Sequence, residues 1–152
     1  MMPANGLEVF DRTLQKSNLL LKEIEAEYGW EGRRFQSYAA LRTVLHALRD
    51  RLTVKEASDF AAQLPLLIRG MFYEGWDPMA VPIKMDHDQF YERIRSEFQY
   101  SFNGTIRDLV ATVLQVVCKH VTEGEMNNIA SILPKHLATL VKEAEEAAAS
   151  SR

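Results

Sequence analysis

The chain of 152 residues contains a single cysteine, Cys118, and no apolar run near the ~18 residues that a membrane-spanning helix needs. One cysteine excludes a framework of internal disulfides and is typical of proteins in a reducing compartment. The opening sequence MMPANGLEVF lacks the basic flank and apolar core of an export signal. We therefore expect a soluble, cytoplasmic protein without membrane contact.

An excess of positive charge is also missing. The formal net charge is −3, with 10 Lys and Arg against 10 Asp and Glu in residues 1–76, and 8 against 11 in residues 77–152. Neither half therefore exerts a long-range attraction on nucleic acid, and nucleic acid is not an expected partner. Five arginines lie in or next to the second predicted helix, among acidic residues, so we interpret that face as solvated and ion-paired; they are Arg33, Arg34, Arg42, Arg49 and Arg51.

Patterns that carry chemistry are absent too. The 7 glycines form no phosphate-binding loop, and the 4 histidines show neither the HxxxH nor the HExxH spacing of metal sites. The run Asp86, His87, Asp88 is explained more simply by Asp88 capping a helix than by a metal. Cys118 is expected to be partly exposed, without a basic neighbour to activate its thiol. We predict no catalytic residue, no metal site and no cofactor.

What the sequence does contain is an internal repeat. TVLHALRDRLTVKEASDFAAQLP, from Thr43, aligns without a gap with TVLQVVCKHVTEGEMNNIASILP, from Thr112, at an offset of 69. Upstream the alignment continues at an offset of 70, where it pairs Ile24/Ile94, Glu27/Glu97, Tyr28/Phe98 and Trp30/Tyr100. We call the two aligned segments copy one and copy two. Such a duplication predicts two copies of one structural unit that pack on each other.

Apolar residues recur at spacings of three and four along most of the chain, and no segment alternates with a period of two. This periodicity predicts helices and no strand. The first two helices are expected over about residues 7–28 and 33–50. Phe10, Leu14 and Leu21 should lie on the buried face of the first helix.

Capping signals mark where several helices should begin. Thr53 with Glu56, and Thr122 with Glu125, have the T-x-x-E spacing of a capping box. Pro65 either kinks the third helix or opens a fourth one, and Thr105 and Pro134 should open later helices; Asp88 is expected to cap the fifth.

These patterns predict an all-α fold, a helical bundle of two tandem four-helix repeats related by a pseudo-two-fold axis. The whole chain, residues 1–152, should form one compact domain. Repeat one spans residues 7–73, a connector with glycine and two prolines spans 74–87, repeat two spans 88–144, and residues 145–152 form a mobile tail.

Three stretches carry a resemblance to a known family. They are ALRTVLHALRDRL, the AAQLP turn and the run RGMFYEGW, all in copy one. With them the chain resembles a bacterial family called domain of unknown function 2267, over roughly residues 5–145. The resemblance implies an all-helical, internally duplicated, cytoplasmic protein, and it transfers no catalytic residues.

The two copies differ most after their shared proline. Copy one has a candidate ligand- or partner-binding segment where copy two has Ala138, Lys142, Glu143 and Glu145; its residues are Arg69, Tyr73, Glu74 and Trp76. An arginine beside aromatic rings can clamp an anion or stack on a planar ligand. The same aromatic rings can instead fill the junction between the repeats.

We hypothesise a non-enzymatic helical module that binds a protein partner or a second copy of itself. The alternative is a small-molecule sensor or enzyme that uses an inter-repeat cleft near Arg69, Tyr73 and Trp76. A deep pocket with converging polar groups would favour the alternative, and a filled junction would favour the module.

Overall fold

A computed structural model describes residues 6–133 and 135–151, and this part of the chain contains eight α-helices and no strand. The helices are α1 (Glu8–Tyr28), α2 (Arg34–Asp50), α3 (Val54–Ala61), α4 (Leu66–Tyr73), α5 (His87–Glu97), α6 (Ile106–Cys118), α7 (Glu123–Ile132) and α8 (Lys135–Ser151). The predicted all-α fold is confirmed. None of these described helices is both long and apolar enough to cross a membrane.

Several helices begin at the caps that the sequence predicts. The Thr53 hydroxyl accepts from the Glu56 amide, and the Glu56 carboxylate accepts from the Thr53 amide, which completes the capping box of α3. Thr105 and Asp108 form the same arrangement at α6. Pro65 occupies the N-cap position of α4, so it opens this helix and does not kink α3.

The cap of α5 differs from the prediction. Asp86, and not Asp88, accepts from the Gln89 amide at 2.9 Å, and the Gln89 side chain accepts in return from the Asp86 amide. The reason is the spacing, since Asp86 has a residue three positions on that can complete the capping box.

The capping box predicted for α7 is only half present. The Thr122 hydroxyl accepts from the Glu125 amide as expected, but the Thr122 amide donates to the side chain of Gln63 at 2.7 Å. Gln63 lies just beyond α3, so a bond expected within one helix instead joins the two halves of the chain.

The buried face of α1 also differs in its first half. Leu21 is buried as predicted, but Phe10 and Leu14 are 51% and 39% exposed. The position that faces the interior is Thr13, whose hydroxyl accepts from the Leu67 amide of α4 at 3.1 Å. A small polar residue at this contact lets α4 approach closely, and the larger apolar residues beside it remain exposed.

One hydrophobic core extends through both halves of the chain. α1 packs on α2, α4 and α6, and α2 also contacts α4, α5 and α6. α7 lies against α3 and α8, and α8 packs on α6. The first helix of each half therefore contacts the second helix of the other half. Fully buried side chains occur in both halves, among them Leu20, Leu45, Phe60, Phe90, Leu109 and Met126.

α8 continues past residue 145, where the sequence predicts a mobile tail. Residues 145–151 belong to this helix, and Ala144 and Ala148 are buried against the core. The mobility of this segment stays a prediction. Pro134, expected to open the last helix, and Arg152 lie outside the described residues.

Candidate functional site

Arg69 of α4 binds the end of α3. Its Nε and Nη2 donate to the backbone carbonyls of Ala61, Ala62 and Leu64 at 3.0–3.2 Å. Carbonyls at a helix C-terminus lack intrahelical donors and carry partial negative charge, which a guanidinium satisfies. Arg69 thus stabilises the turn between α3 and α4.

The aromatic residues of the same segment form a stack. Tyr73 lies parallel to Phe72, with ring centroids 5.5 Å apart, and is tilted against Trp76 at 5.2 Å. The Trp76 Nε1 is buried and has no hydrogen-bond partner in the described part of the chain. Glu74 pairs with Arg42 of α2 at 3.5 Å. The structure therefore brings the predicted site residues Tyr73 and Trp76 together, whereas the Glu74 carboxylate points to α2.

A buried ionic network holds the end of α4. Arg49 of α2 is only 3% exposed; its Nη1 donates to the carbonyls of Phe72 and Glu74 at 2.8 and 2.7 Å. Its Nε donates to Asp50 at 2.8 Å. Arg93 of α5 also binds the Asp50 carboxylate at 2.8 Å. One carboxylate therefore joins two arginines from opposite halves of the chain.

This network corrects two predictions. Arg49 is ion-paired as expected, but it is buried rather than part of a solvated face. Cys118, which aligns with Arg49, is 0% exposed and not partly exposed. Both errors have the same cause, because α2 and α6 are surrounded by other helices and their last turns are buried on nearly every side.

The pKa of Asp50 lies below its ordinary value. Burial by itself raises the pKa of this carboxyl, but hydrogen bonds and positive charge from Arg49 and Arg93 outweigh burial. The network therefore contains a charged carboxylate between two charged guanidinium groups at neutral pH.

His46 lies one turn before Arg49 and holds the same end of α4. Its Nε2 is 2.7 Å from the carbonyl oxygen of Met71, so Nε2 carries a proton and donates. Burial lowers the pKa of His46 more than this bond raises it, and the charges of Arg49 and Arg42 lower the pKa further. The folded protein therefore favours the neutral imidazole.

We expect the free energy of unfolding to decrease as the pH falls below 6.5, the ordinary pKa of histidine. The unfolded chain binds a proton there that the folded chain excludes, until the pH reaches the lower folded-state pKa. His46→Gln keeps a neutral donor toward Met71 and should flatten this part of the profile. Urea unfolding of both proteins between about pH 5 and pH 8 measures the difference. Parallel profiles would contradict the assignment.

No three or more His, Cys, Asp or Glu side chains among the described residues are placed to hold a metal ion. In the acidic run at the start of α5, Asp86 is the helix cap, and Asp88 lies 2.9 Å from His87 Nδ1. These contacts account for the run through capping and pairing at the helix start.

Exposed apolar side chains are concentrated where the beginning of α1 meets the beginning of α4. They are 39–51% exposed and comprise Leu7, Val9, Phe10, Leu14, Leu66 and Leu67. We call these six residues the α1–α4 surface. Single exposed apolar residues are common, but a group that adjoins a groove is typical of an interaction site. Sequence periodicity alone misses this surface, because it assigns Phe10 and Leu14 to the core.

A groove of about 180 Å³ adjoins the α1–α4 surface and shares two residues with it, Val9 and Leu66. Its described lining combines apolar residues with Thr13 and three basic residues and includes no acidic residue; it consists of Val9, Arg12, Thr13, Lys16, Leu64, Pro65, Leu66 and Arg69. Arg12 pairs along α1 with Glu8, and both side chains are exposed. The groove thus has an apolar floor and a basic rim, and Arg69 is the one predicted site residue that lines it.

The structure therefore defines an all-α helical bundle whose surface carries an apolar, basic-rimmed groove. The chain belongs to the family described as an uncharacterized conserved protein (DUF2267), whose model matches residues 17–140. The resemblance inferred from the copy-one motifs is confirmed. No curated protein matches the chain. The family description assigns no activity, substrate or partner.

Proposed function

We propose that this protein is a non-enzymatic interaction module that binds an acidic, amphipathic segment of a partner protein on the α1–α4 surface. The observation that carries the proposal is one groove with exposed apolar side chains, three basic residues and no acidic residue in its described lining. An amphipathic helix can place its apolar face in such a groove while its acidic flank pairs with Lys16, since Arg12 already pairs with Glu8 and Arg69 with three backbone carbonyls.

The exposed leucines of α4 are better explained by binding than by folding. At the offset of 69, Leu66 and Leu67 align with Lys135 and His136, which begin α8. A helix in the corresponding place of copy two therefore begins with polar residues. The two leucines are half exposed, so they also bury little area within the protein.

We also propose that the chain is a tandem pair of four-helix repeats, residues 7–73 and 88–144, joined by the connector 74–87 and related by a pseudo-two-fold axis. Support comes from the exchanged packing, in which α1 contacts α6 as α5 contacts α2. Polar contacts follow the same exchange. Glu23 of α1 lies 3.2 Å from the His120 imidazole beyond α6, and Arg93, which aligns with Glu23, pairs with Asp50 of α2.

This duplication sets the α1–α4 surface apart. Ser17 aligns with His87, the first residue of α5, at the offset of 70. Residues 8–16 of α1 therefore have no helical counterpart in copy two. Those turns contribute Val9, Phe10 and Leu14 to the surface, so the α1 part of the proposed binding face has no counterpart in copy two.

A second copy of the chain is a less favourable occupant than an acidic partner. Two copies that met through the same surface would bring Arg12, Lys16 and Arg69 of each copy toward one another. Like charges at an interface oppose association, so we expect a monomer in light scattering. The acidic net charge also disfavours nucleic acid, and we expect the partner to be met in the cytoplasm.

The alternative, a small-molecule sensor or enzyme at a cleft near Arg69, Tyr73 and Trp76, stays a prediction. In its favour, a ligand could accept a hydrogen bond from the buried Nε1 of Trp76. Against it, the guanidinium of Arg69 is already bound to three carbonyls.

Photo-cross-linking tests the interaction module. p-Benzoylphenylalanine replaces Phe10, and cross-linked peptides from a lysate of the source cells are mapped by mass spectrometry. We expect them to come from an acidic, amphipathic segment, and a synthetic peptide of that segment should bind the purified protein. The double variant Leu66→Gln/Leu67→Gln removes the apolar side chains without adding charge and should weaken this binding by about tenfold or more, with unchanged thermal stability.

The same cross-linker at Glu92, an exposed position on α5, is the matched control and should not capture the segment. Any of four results would contradict the proposal. They are no cross-links from position 10, cross-links to basic segments, cross-links to a second copy, and full affinity in the double variant.

A further inference from the structure

A second cavity, of about 460 Å³, lies where the end of α2, the connector and the beginnings of α5 and α8 meet. Its volume falls in the range of small-molecule sites, about 300–1,000 Å³. It shares no lining residue with the groove on the α1–α4 surface. The lining residues are Arg51, Lys84, Met85, Asp86, Gln89 and His136.

Positive charge prevails in this cavity. Arg51 and Lys84 carry full charges, whereas the only carboxylate of its described lining, Asp86, is engaged as the cap of α5. The first turn of α5 adds the partial positive charge of a helix N-terminus. The cavity therefore attracts an anion.

Two buried nitrogen atoms of the lining have no hydrogen-bond partner among the described residues. They are Nε of Arg51 and Nε2 of His136. Arg51 is held in place by its Nη1, which donates to the Ile83 carbonyl at 2.9 Å. Buried polar atoms are rarely left unpaired in proteins. Both atoms belong to side chains that line the cavity, so a small side-chain movement would bring them to an oxygen acceptor of a ligand.

We propose that this cavity binds a phosphate group, held by Arg51, Lys84 and His136. Arginine presents planar donors that match a phosphate, and lysine adds a mobile point charge. A cavity of about 460 Å³ also has room for a small molecule attached to the phosphate, next to Met85 and Gln89.

The pKa of His136 should change when a phosphate binds in the cavity. Burial lowers the pKa of His136, the neighbouring His87 and Arg51 lower it further, and Asp86 and Asp88 act in the opposite direction. A phosphate within hydrogen-bond distance of the imidazole would stabilise its protonated form and raise this pKa.

NMR titration of the four histidine side chains, at constant ionic strength, tests the proposal. The probes are inorganic phosphate and a nucleoside monophosphate, with sodium chloride as the control salt. We expect a saturable shift of the His136 resonances and a raised pKa. Arg51→Gln and Lys84→Gln should each weaken binding by about tenfold. Arg95→Gln removes the same charge from an exposed pair with Glu92 and should leave binding within about twofold.

Similar affinities for the two probes would identify free phosphate as the ligand, and tighter binding of the nucleotide would indicate a larger phosphorylated molecule; both support the site. No saturable His136 shift with either probe overturns it. So does unchanged affinity in both cavity variants. Lys84 is exposed, so Lys84→Gln remains informative even if Arg51→Gln does not fold.

Discussion

Asp50→Ala is expected to lower the free energy of unfolding by about 3–5 kcal/mol. The substitution removes the carboxylate that binds both Arg49 and Arg93 and leaves a buried guanidinium without its counter-ion. Removal of one partner from a buried pair costs far more than the pair itself contributes, because the remaining charge is not solvated. Urea unfolding at neutral pH measures the loss.

Asp59→Ala is the matched control. Asp59 pairs with Lys55 one turn away, and the side chains of Lys55 and Asp59 are 83% and 49% exposed, so the expected change is within about 0.5 kcal/mol. Arg93→Ala should lower the free energy of unfolding less in the Asp50→Ala variant than in the parent, because Asp50→Ala has already removed the carboxylate that Arg93 binds. A loss below about 1 kcal/mol for Asp50→Ala would contradict the role of this network.

Trp30→Ala is expected to lower the free energy of unfolding by about 3–5 kcal/mol. The indole is 4% exposed and stacks on Tyr28 at 4.6 Å and on Phe98 at 6.2 Å. Phe98 follows α5, so Trp30 links the two halves of the chain through ring contacts. Truncation to alanine would leave a cavity at this junction, which the surrounding helices can fill only in part.

Tyr100 provides the control, because it aligns with Trp30 and also contacts Phe98, with ring centroids 5.6 Å apart. It is 41% exposed, and Tyr100→Ala should therefore cost about 1 kcal/mol or less. Thermal or urea unfolding of both variants makes the comparison. Equal losses at the two positions would show that Trp30 has no special place at the junction.

Helix boundaries were largely predictable because their signals are local. Thr53 with Glu56 and Thr105 mark starts through bonds within one turn, and Pro65 restricts its own backbone. The cap at Asp86 could have been found by the same spacing rule, since Gln89 is three residues on. The hydroxyl cap at Thr122 was predicted, but the partner of the Thr122 amide, Gln63, could not be, because it is 59 positions away in the sequence.

Burial was less predictable, because it depends on which helix covers each face. Phe10 and Leu14 have the spacing of a buried stripe, yet α4 approaches α1 at Thr13 and leaves them exposed. Arg49 was expected on a solvated, ion-paired face because acidic residues lie near it in the sequence. Its partners are the carbonyls of Phe72 and Glu74, which only the folded chain brings near.

The sequence differences between the two copies mark two parts of the candidate site. The asymmetry after Pro65 led to Arg69, which lines the proposed groove. The same comparison at the end of the second helix places Arg49 and Asp50 against Cys118 and Lys119. That difference indicates that Arg49 and Asp50 have a role special to copy one. The α1 part of the α1–α4 surface could not be found in this way, because it has no aligned helix in copy two.

If the α1–α4 surface recognises acidic, amphipathic segments, reversing a charge beside it should reverse which peptide it prefers. The affinities of two proteins, the parent and Lys16→Glu, are measured for two peptides. One is the cross-linked partner peptide, and the other is the same peptide with its glutamates replaced by lysine. We predict about tenfold weaker binding of the acidic peptide to the variant and tighter binding of the basic peptide. Equal affinities of parent and variant for both peptides would contradict the claim.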